Sequence, residues 1–145
     1  MNKRLLLLFF FATIAVGTQA RHTILSNRYQ SLTVMVNNNW LSAPVMQLNS
    51  GDILNISFDE LSHDAHRLIY KIEHCEIDGS VSEDIFKSDY LEGFNGMTID
   101  NYEKSRGTTV LYTHYRLQIP NEQCRLKMSG NYRLTVYEED NEMEE

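Results

Sequence analysis

Apolar residues recurring at every second position constrain this chain more than any other feature. Leu32, Val34 and Val36 alternate with Ser31, Thr33 and Met35 until Asn37-Asn38-Asn39 interrupts them. After the turn Ser50-Gly51-Asp52, Leu54, Ile56 and Phe58 alternate with Asn55 and Ser57. A period of two belongs to a strand, whose successive side chains point to opposite faces of a sheet. Strand character returns at 68–75, at 110–119 up to Pro120-Asn121, briefly at 125–128, and at 132–137 after Ser129-Gly130. Helical spacing is confined to 82–90, with Ser82 as cap, Glu83 and Asp84 in the first turn, and Ile85, Phe86 and Tyr90 sharing a face. About seven short strands separated by turns predict an all-β domain, a β-sandwich of immunoglobulin or fibronectin type III character. In such sandwiches a tyrosine often opens the penultimate strand and bonds back to the preceding corner, and Tyr132 is placed for that structural role. If 132–137 is the penultimate strand, the sandwich lacks its last strand and leaves an edge open to a partner.

The two ends read differently from this middle. Lys3 and Arg4 precede an apolar run from Leu5 to Val16, and Gly17-Thr18-Gln19-Ala20 supplies small residues for cleavage after Ala20. Residues 1–20 are therefore expected to be a secretory leader. The apolar run holds about a dozen residues against the roughly 20 that span a bilayer, so direct membrane insertion is not expected. The whole chain carries a formal charge of −7; losing Lys3 and Arg4 with the leader makes it −9. Such a chain is a poor partner for nucleic acid or anionic lipid, which attract positive surfaces. Glu138, Glu139, Asp140, Glu142, Glu144 and Glu145 crowd the last eight residues. They predict a solvated acidic tail at 138–145, with the domain occupying 21–137.

Candidate chemistry is sparse. Cys75 and Cys124 are the two cysteines, and export would put them in an oxidising compartment. A disulfide between them would close a loop of about fifty residues and add roughly 2–4 kcal/mol. Two buried free thiols are the other reading, and spacing does not choose between them. His63, Asp64 and His66 read as a solvated loop rather than a metal site. His74 and Cys75 are strand neighbours on opposite faces, so they do not form a nucleophile–base pair. The acids Asp59, Glu60 and Asp100 have no glycosidase spacing, and Asp52 and Asp78 beside glycines are turn residues. A hydrolase built on His114 and Asp59 ranks third among the functional readings. Trp40, Tyr90, Phe94, Tyr102, Tyr112, Tyr115 and Tyr137 are expected mostly in the core and its corners, with one or two left exposed as interface anchors. No catalytic residue, metal or cofactor is expected.

Several segments, taken in order, are similar to a known family. They are Ile56-Ser57-Phe58-Asp59-Glu60-Leu61, Tyr70 through His74-Cys75, Tyr90 with Gly93-Phe94, Ile99-Asp100-Asn101-Tyr102 with Ser105, Tyr112-Thr113-His114-Tyr115, Pro120-Asn121 and Ser129-Gly130-Asn131-Tyr132. From about Ser31 to Tyr137 the chain resembles the first domain of the type 9 secretion system plug protein. The resemblance implies a non-enzymatic periplasmic component from a Bacteroidetes-type bacterium. Such a component plugs or gates the periplasmic mouth of a large outer-membrane translocon barrel, its expected partner, and gives way when cargo arrives. The pattern departs at Gly79, where the family tends to place an aromatic after the His-Cys pair. Family members also continue into a closing strand and further domains, so this sequence is expected to correspond to a shortened form. The competing expectation is a free-standing secreted sandwich module that binds a glycan or a surface protein.

Overall fold

In the computed structural model, residues 21–139 are described; the leader expected at 1–20 and most of the tail expected at 138–145 lie outside them. Nine strands and one short helix follow in order: β1 Tyr29–Val36, β2 Leu54–Glu60, β3 Leu68–Cys75, α1 Lys87–Tyr90, β4 Leu91–Gly93, β5 Met97–Thr98, β6 Tyr102–Lys104, β7 Thr113–Ile119, β8 Cys124–Leu126 and β9 Asn131–Glu138. One sheet has the order β1-β2-β7-β6, a second β5-β3-β9, and β4 pairs with β8. All of these pairings are antiparallel. Residues from both larger sheets and from the β4–β8 ribbon meet in one core, including Ile56, Phe58, Tyr115 and Leu117 opposite Tyr70, Ile72, Leu91 and Leu126. The chain is an all-β sandwich. β9 pairs with β3 along one side and, among the described residues, with no strand on the other.

The alternation in β1 shows how sequence becomes packing. Tyr29 and the Leu32-Val34-Val36 set have opposite parity, so a regular strand would send one of them to solvent. A bulge between Gln30 and Thr33, with Ser31 at φ 57°, inserts one residue and corrects the phase. Tyr29, Leu32 and Val34 all reach the core as a result. Tyr29 meets Phe58 edge-on at 6.0 Å, and Phe58 stacks on its cross-strand partner Tyr115 at 5.4 Å. Such pairs are worth about 0.5–1.5 kcal/mol beyond the area they bury.

Three boundaries differ from expectation for local physical reasons. The helix covers only Lys87–Tyr90, and the Asp89 carboxylate accepts from the Phe86 N–H at 3.2 Å in its first turn. Ser82 does not cap it, because its buried hydroxyl bonds to His74 and Glu76 instead. Strand β7 starts at Thr113 rather than at 110. The preceding residues fold into a loop in which the Ser105 N–H donates to the Tyr112 carbonyl and the Tyr112 N–H donates to Ser105 Oγ. Lastly, Glu138 belongs to β9 rather than to a tail, and Glu139 pairs with Arg67 at 2.8 Å.

Candidate functional site

Histidines and acids at hydrogen-bond distance form three groupings, and the order of bonds in each decides what it can do. In the first, Ser82 Oγ donates to Glu76 Oε1 at 2.5 Å and lies 2.9 Å from His74 Nδ1. A hydroxyl has one proton; since Glu76 takes it, His74 Nδ1–H must donate to Ser82. A serine nucleophile needs the reverse, a histidine that accepts its proton. His74 Nε2 faces the backbone of Gly130, where an added Cβ would sit 2.1 Å away. His74 also contacts the Tyr132 ring edge-on at 5.2 Å and Tyr90 at 6.0 Å. This grouping wedges the corner where β3 ends and β9 begins.

At the same corner the Tyr132 hydroxyl donates to the Met128 carbonyl at 2.6 Å, four residues upstream. Burial, with the neighbouring Tyr90, raises its pKa. Cys75 and Cys124 are both buried and free, so the disulfide allowed by their spacing is not formed. They hold different positions in the fold: Cys75 Sγ lies 3.7 Å from the Glu73 carbonyl, and Cys124 Sγ 3.5 Å from the Tyr70 hydroxyl. Burial first, and then that thiol contact, push the Tyr70 pKa up to about 12.

The second grouping centres on Glu60, which is wholly buried at the far end of β2. Its Oε2 accepts from the Tyr115 hydroxyl at 3.0 Å, while Oε1 faces Arg28 Nε at 3.4 Å and His66 Nδ1. Neither nitrogen makes a well-directed hydrogen bond, so the Arg28 contact acts as an ion pair rather than as a hydrogen bond. The Tyr115 hydroxyl also accepts from the His66 N–H at 2.9 Å, which ties the 61–67 loop to β7. Arg28 reaches Glu138 as well, and Tyr29 donates to Glu138 at 2.6 Å. The ends of β2 and β9 and the start of β1 are thereby joined. Burial and then the Glu60 carboxylate raise the pKa of Tyr115 and, less strongly, that of Tyr29. Weighing Asp59 and Glu60 only for glycosidase spacing missed this network. The signal was present, because Glu60 continues the inward parity of Ile56 and Phe58. His63 and His66 do not converge with Asp64; His63 Nε2 bonds to the Ser105 carbonyl at 3.1 Å. Among the described residues, no group of three or more His, Cys, Asp or Glu is arranged to hold a metal ion.

Third, His114 Nδ1 donates to Asp59 Oδ1 at 2.5 Å across the β2–β7 pair. His114 lines an open cleft of about 450 Å³ with Tyr112, Lys104, Arg106 and Arg116. Ser105 borders the same cleft, but its Oγ accepts from the Tyr112 N–H, not from the histidine.

The aromatics divide against expectation. Tyr90 and Tyr115 are buried, but Trp40, Phe94 and Tyr102 are exposed, at 78%, 69% and 47%. Tyr112 and Tyr137 are half-buried. Leu41, Val45, Ile77 and Phe86 are exposed too. Topology gathers most of these at one end of the sandwich. The loop between β1 and β2 carries Trp40, Leu41 and Val45; the loop after β3 carries Ile77 and Phe86. Both leave the end opposite Glu60 and Leu68. Asp52 holds the first loop by accepting from the Gln47 N–H and the Asn37 side chain, both at 2.8 Å, and these bonds lower its pKa. Among the described residues no helix is long and apolar enough to cross a membrane.

Comparison with known proteins bears on this arrangement. No curated protein matches the chain. A solved structure of a hypothetical protein from Parabacteroides merdae ATCC 43184 is similar, with a TM-score of 0.76 and 37% sequence identity. The similarity covers 79% of this chain and 29% of that one, so this sequence spans less than a third of that protein. Residues 29–145 match the family described as type 9 secretion system plug protein, first domain. With this match over most of its length, the chain belongs to that family of secretion-system domains.

Proposed function

We propose that this domain is a non-enzymatic, periplasmic component of the type 9 secretion system that plugs or gates the periplasmic mouth of the outer-membrane translocon barrel. The family match over residues 29–145 carries the reading. The geometry supports a docking domain in two ways. Its buried polar groups are spent on internal contacts, with Ser82 donating away from His74 and Glu60 enclosed by its partners. Its loop end instead presents Trp40, Leu41 and Val45, each more than three-quarters exposed. Large apolar side chains on an otherwise polar surface are the usual anchors of a protein interface.

The test is a pull-down from solubilised outer membranes, with the tagged protein at native expression and mass spectrometry of what it captures. Recovery of one very large outer-membrane barrel protein, lost in the W40A/L41S variant, supports the reading. A folded protein that captures no barrel overturns it and favours a free-standing module that binds a glycan or surface protein.

A further inference from the structure

The edge of β3 that faces β5 is completed by a side chain rather than by a longer strand. β5 places only Met97 and Thr98 opposite Tyr70 and Ile69. The Gly96 N–H then donates to the Tyr70 carbonyl at 3.1 Å. Beyond it, the Asn95 carboxamide stands in for backbone: its Oδ1 accepts from the Ile72 N–H and its Nδ2 donates to the Ile72 carbonyl, both at 2.8 Å. The Tyr90 hydroxyl shares that carbonyl at 3.2 Å. Ile72 is 2% exposed, so water does not replace Asn95 there. Asn95 is followed by glycine, and the pair has a reactivity of its own. A backbone nitrogen can attack the carboxamide of the asparagine before it, and glycine, without a Cβ, leaves that approach open. In the fold both reacting groups are engaged, the carboxamide on Ile72 and the Gly96 N–H on Tyr70.

We propose that Asn95 is a deamidation site, held inert by its pairing with Ile72 and made reactive when β5 leaves the edge of β3. β5 is two residues long and, among the described residues, pairs only with β3, so it belongs to the part of a fold that opens locally before the core does. Once released, the Gly96 nitrogen gives up its proton and bonds to Asn95 Cγ. The carboxamide nitrogen leaves as ammonia, and a five-membered succinimide closes. Water then opens the ring at either carbonyl, leaving aspartate or isoaspartate. The net change is one water taken up and one ammonia released, with no oxidant or reductant. Either product can accept from the Ile72 N–H, but its carboxylate has no proton for the Ile72 carbonyl and repels it. Isoaspartate also lengthens the backbone by one carbon. The reaction is thus one-way, and a converted chain no longer seats β5 as before.

The experiment ages the purified protein at neutral pH, native, in low guanidinium chloride and fully denatured, and follows conversion by mass spectrometry. Trypsin releases residues 88–104 as one peptide, which carries Asn95 and, as an internal comparison, Asn101 before the bulky Tyr102. Denatured protein is expected to convert at Asn95 well ahead of Asn101. Native protein should convert at least about tenfold more slowly, the margin set by how rarely β5 opens. In low guanidinium the conversion rate should rise in step with hydrogen exchange at the Gly96 amide. N95D, or the converted fraction separated by ion exchange, should exchange the Ile72 and Gly96 amides at least about tenfold faster than the parent. Equal conversion of Asn95 and Asn101 in denaturant would overturn the site. Native conversion as fast as denatured would overturn the protection by Ile72. Conversion that fails to follow Gly96 exchange would overturn β5 opening as the trigger, and unchanged exchange after conversion would overturn the one-way release.

Discussion

Replacing Glu60 with Gln tests whether the buried network holds the sandwich together. Glu60 is wholly buried, and its carboxylate takes the Tyr115 hydroxyl proton on one oxygen while facing Arg28 and His66 on the other. Gln can still accept from Tyr115, but its NH₂ group would then point at two nitrogen donors. Breaking a buried ion pair costs roughly 3–5 kcal/mol when the surviving charge is sealed from water. Here the Arg28 and His66 side chains are each 38% exposed, so water softens the loss. The expected cost is about 3 kcal/mol, a large share of the roughly 5–15 kcal/mol that holds a domain together. The corresponding fall in Tm is on the order of 10 °C. Urea unfolding followed by far-UV circular dichroism is the assay, with an unchanged m-value as the check on two-state behaviour. Tryptophan fluorescence is unsuitable, since the sole tryptophan, Trp40, is already 78% exposed in the fold. E103Q, which removes the exposed partner of Arg116, is the control and should change stability by less than about 0.5 kcal/mol. If E60Q is as mild as E103Q, the network is not a principal support of the fold and the reasoning fails.

Other perturbations address the corner and the core. Gly130→Ala would place a Cβ 2.1 Å from His74 Nε2, forcing the ring from its seat; thermal melting should show a loss of about 1–3 kcal/mol. Tyr132→Phe removes the 2.6 Å bond to the Met128 carbonyl and should cost about 0.5–1.5 kcal/mol, with a normal circular dichroism spectrum. The Tyr70 pKa is raised from 10.0 to about 12, so the folded state holds its proton longer than the unfolded one. Stability from this group is complete below pH 10 and declines as pH rises toward 12. Urea titrations across that window should show a shallower decline in Tyr70→Phe than in the parent; equal slopes would assign the alkaline loss to other tyrosines. Thiol titration should find Cys75 and Cys124 unreactive when native and both reactive in denaturant, since they are buried and unbonded.

The sequence by itself marked the longer strands and missed the short β4, β5 and β6. Alternation at 32–36 and 54–58 marked strands because the two-residue repeat is a local property, visible wherever one face is buried. Ser129-Gly130 before Tyr132 marked the corner, because turn chemistry is equally local. The helix was misplaced because a serine followed by two acids resembles a cap only until something else claims the hydroxyl. His74, eight residues upstream, claims it. What meets what was decided by tertiary structure alone. β3 pairs with β9, and Glu60 meets Tyr115 across 55 residues of sequence. The cysteines lie buried without joining, since a disulfide depends on the separation of two strand ends rather than on residue spacing. The cleft beside His114 has no sequence motif at all. It exists because β6 returns alongside β7 and the loop between them folds over its end, an arrangement set by strand pairing and the Ser105–Tyr112 bonds.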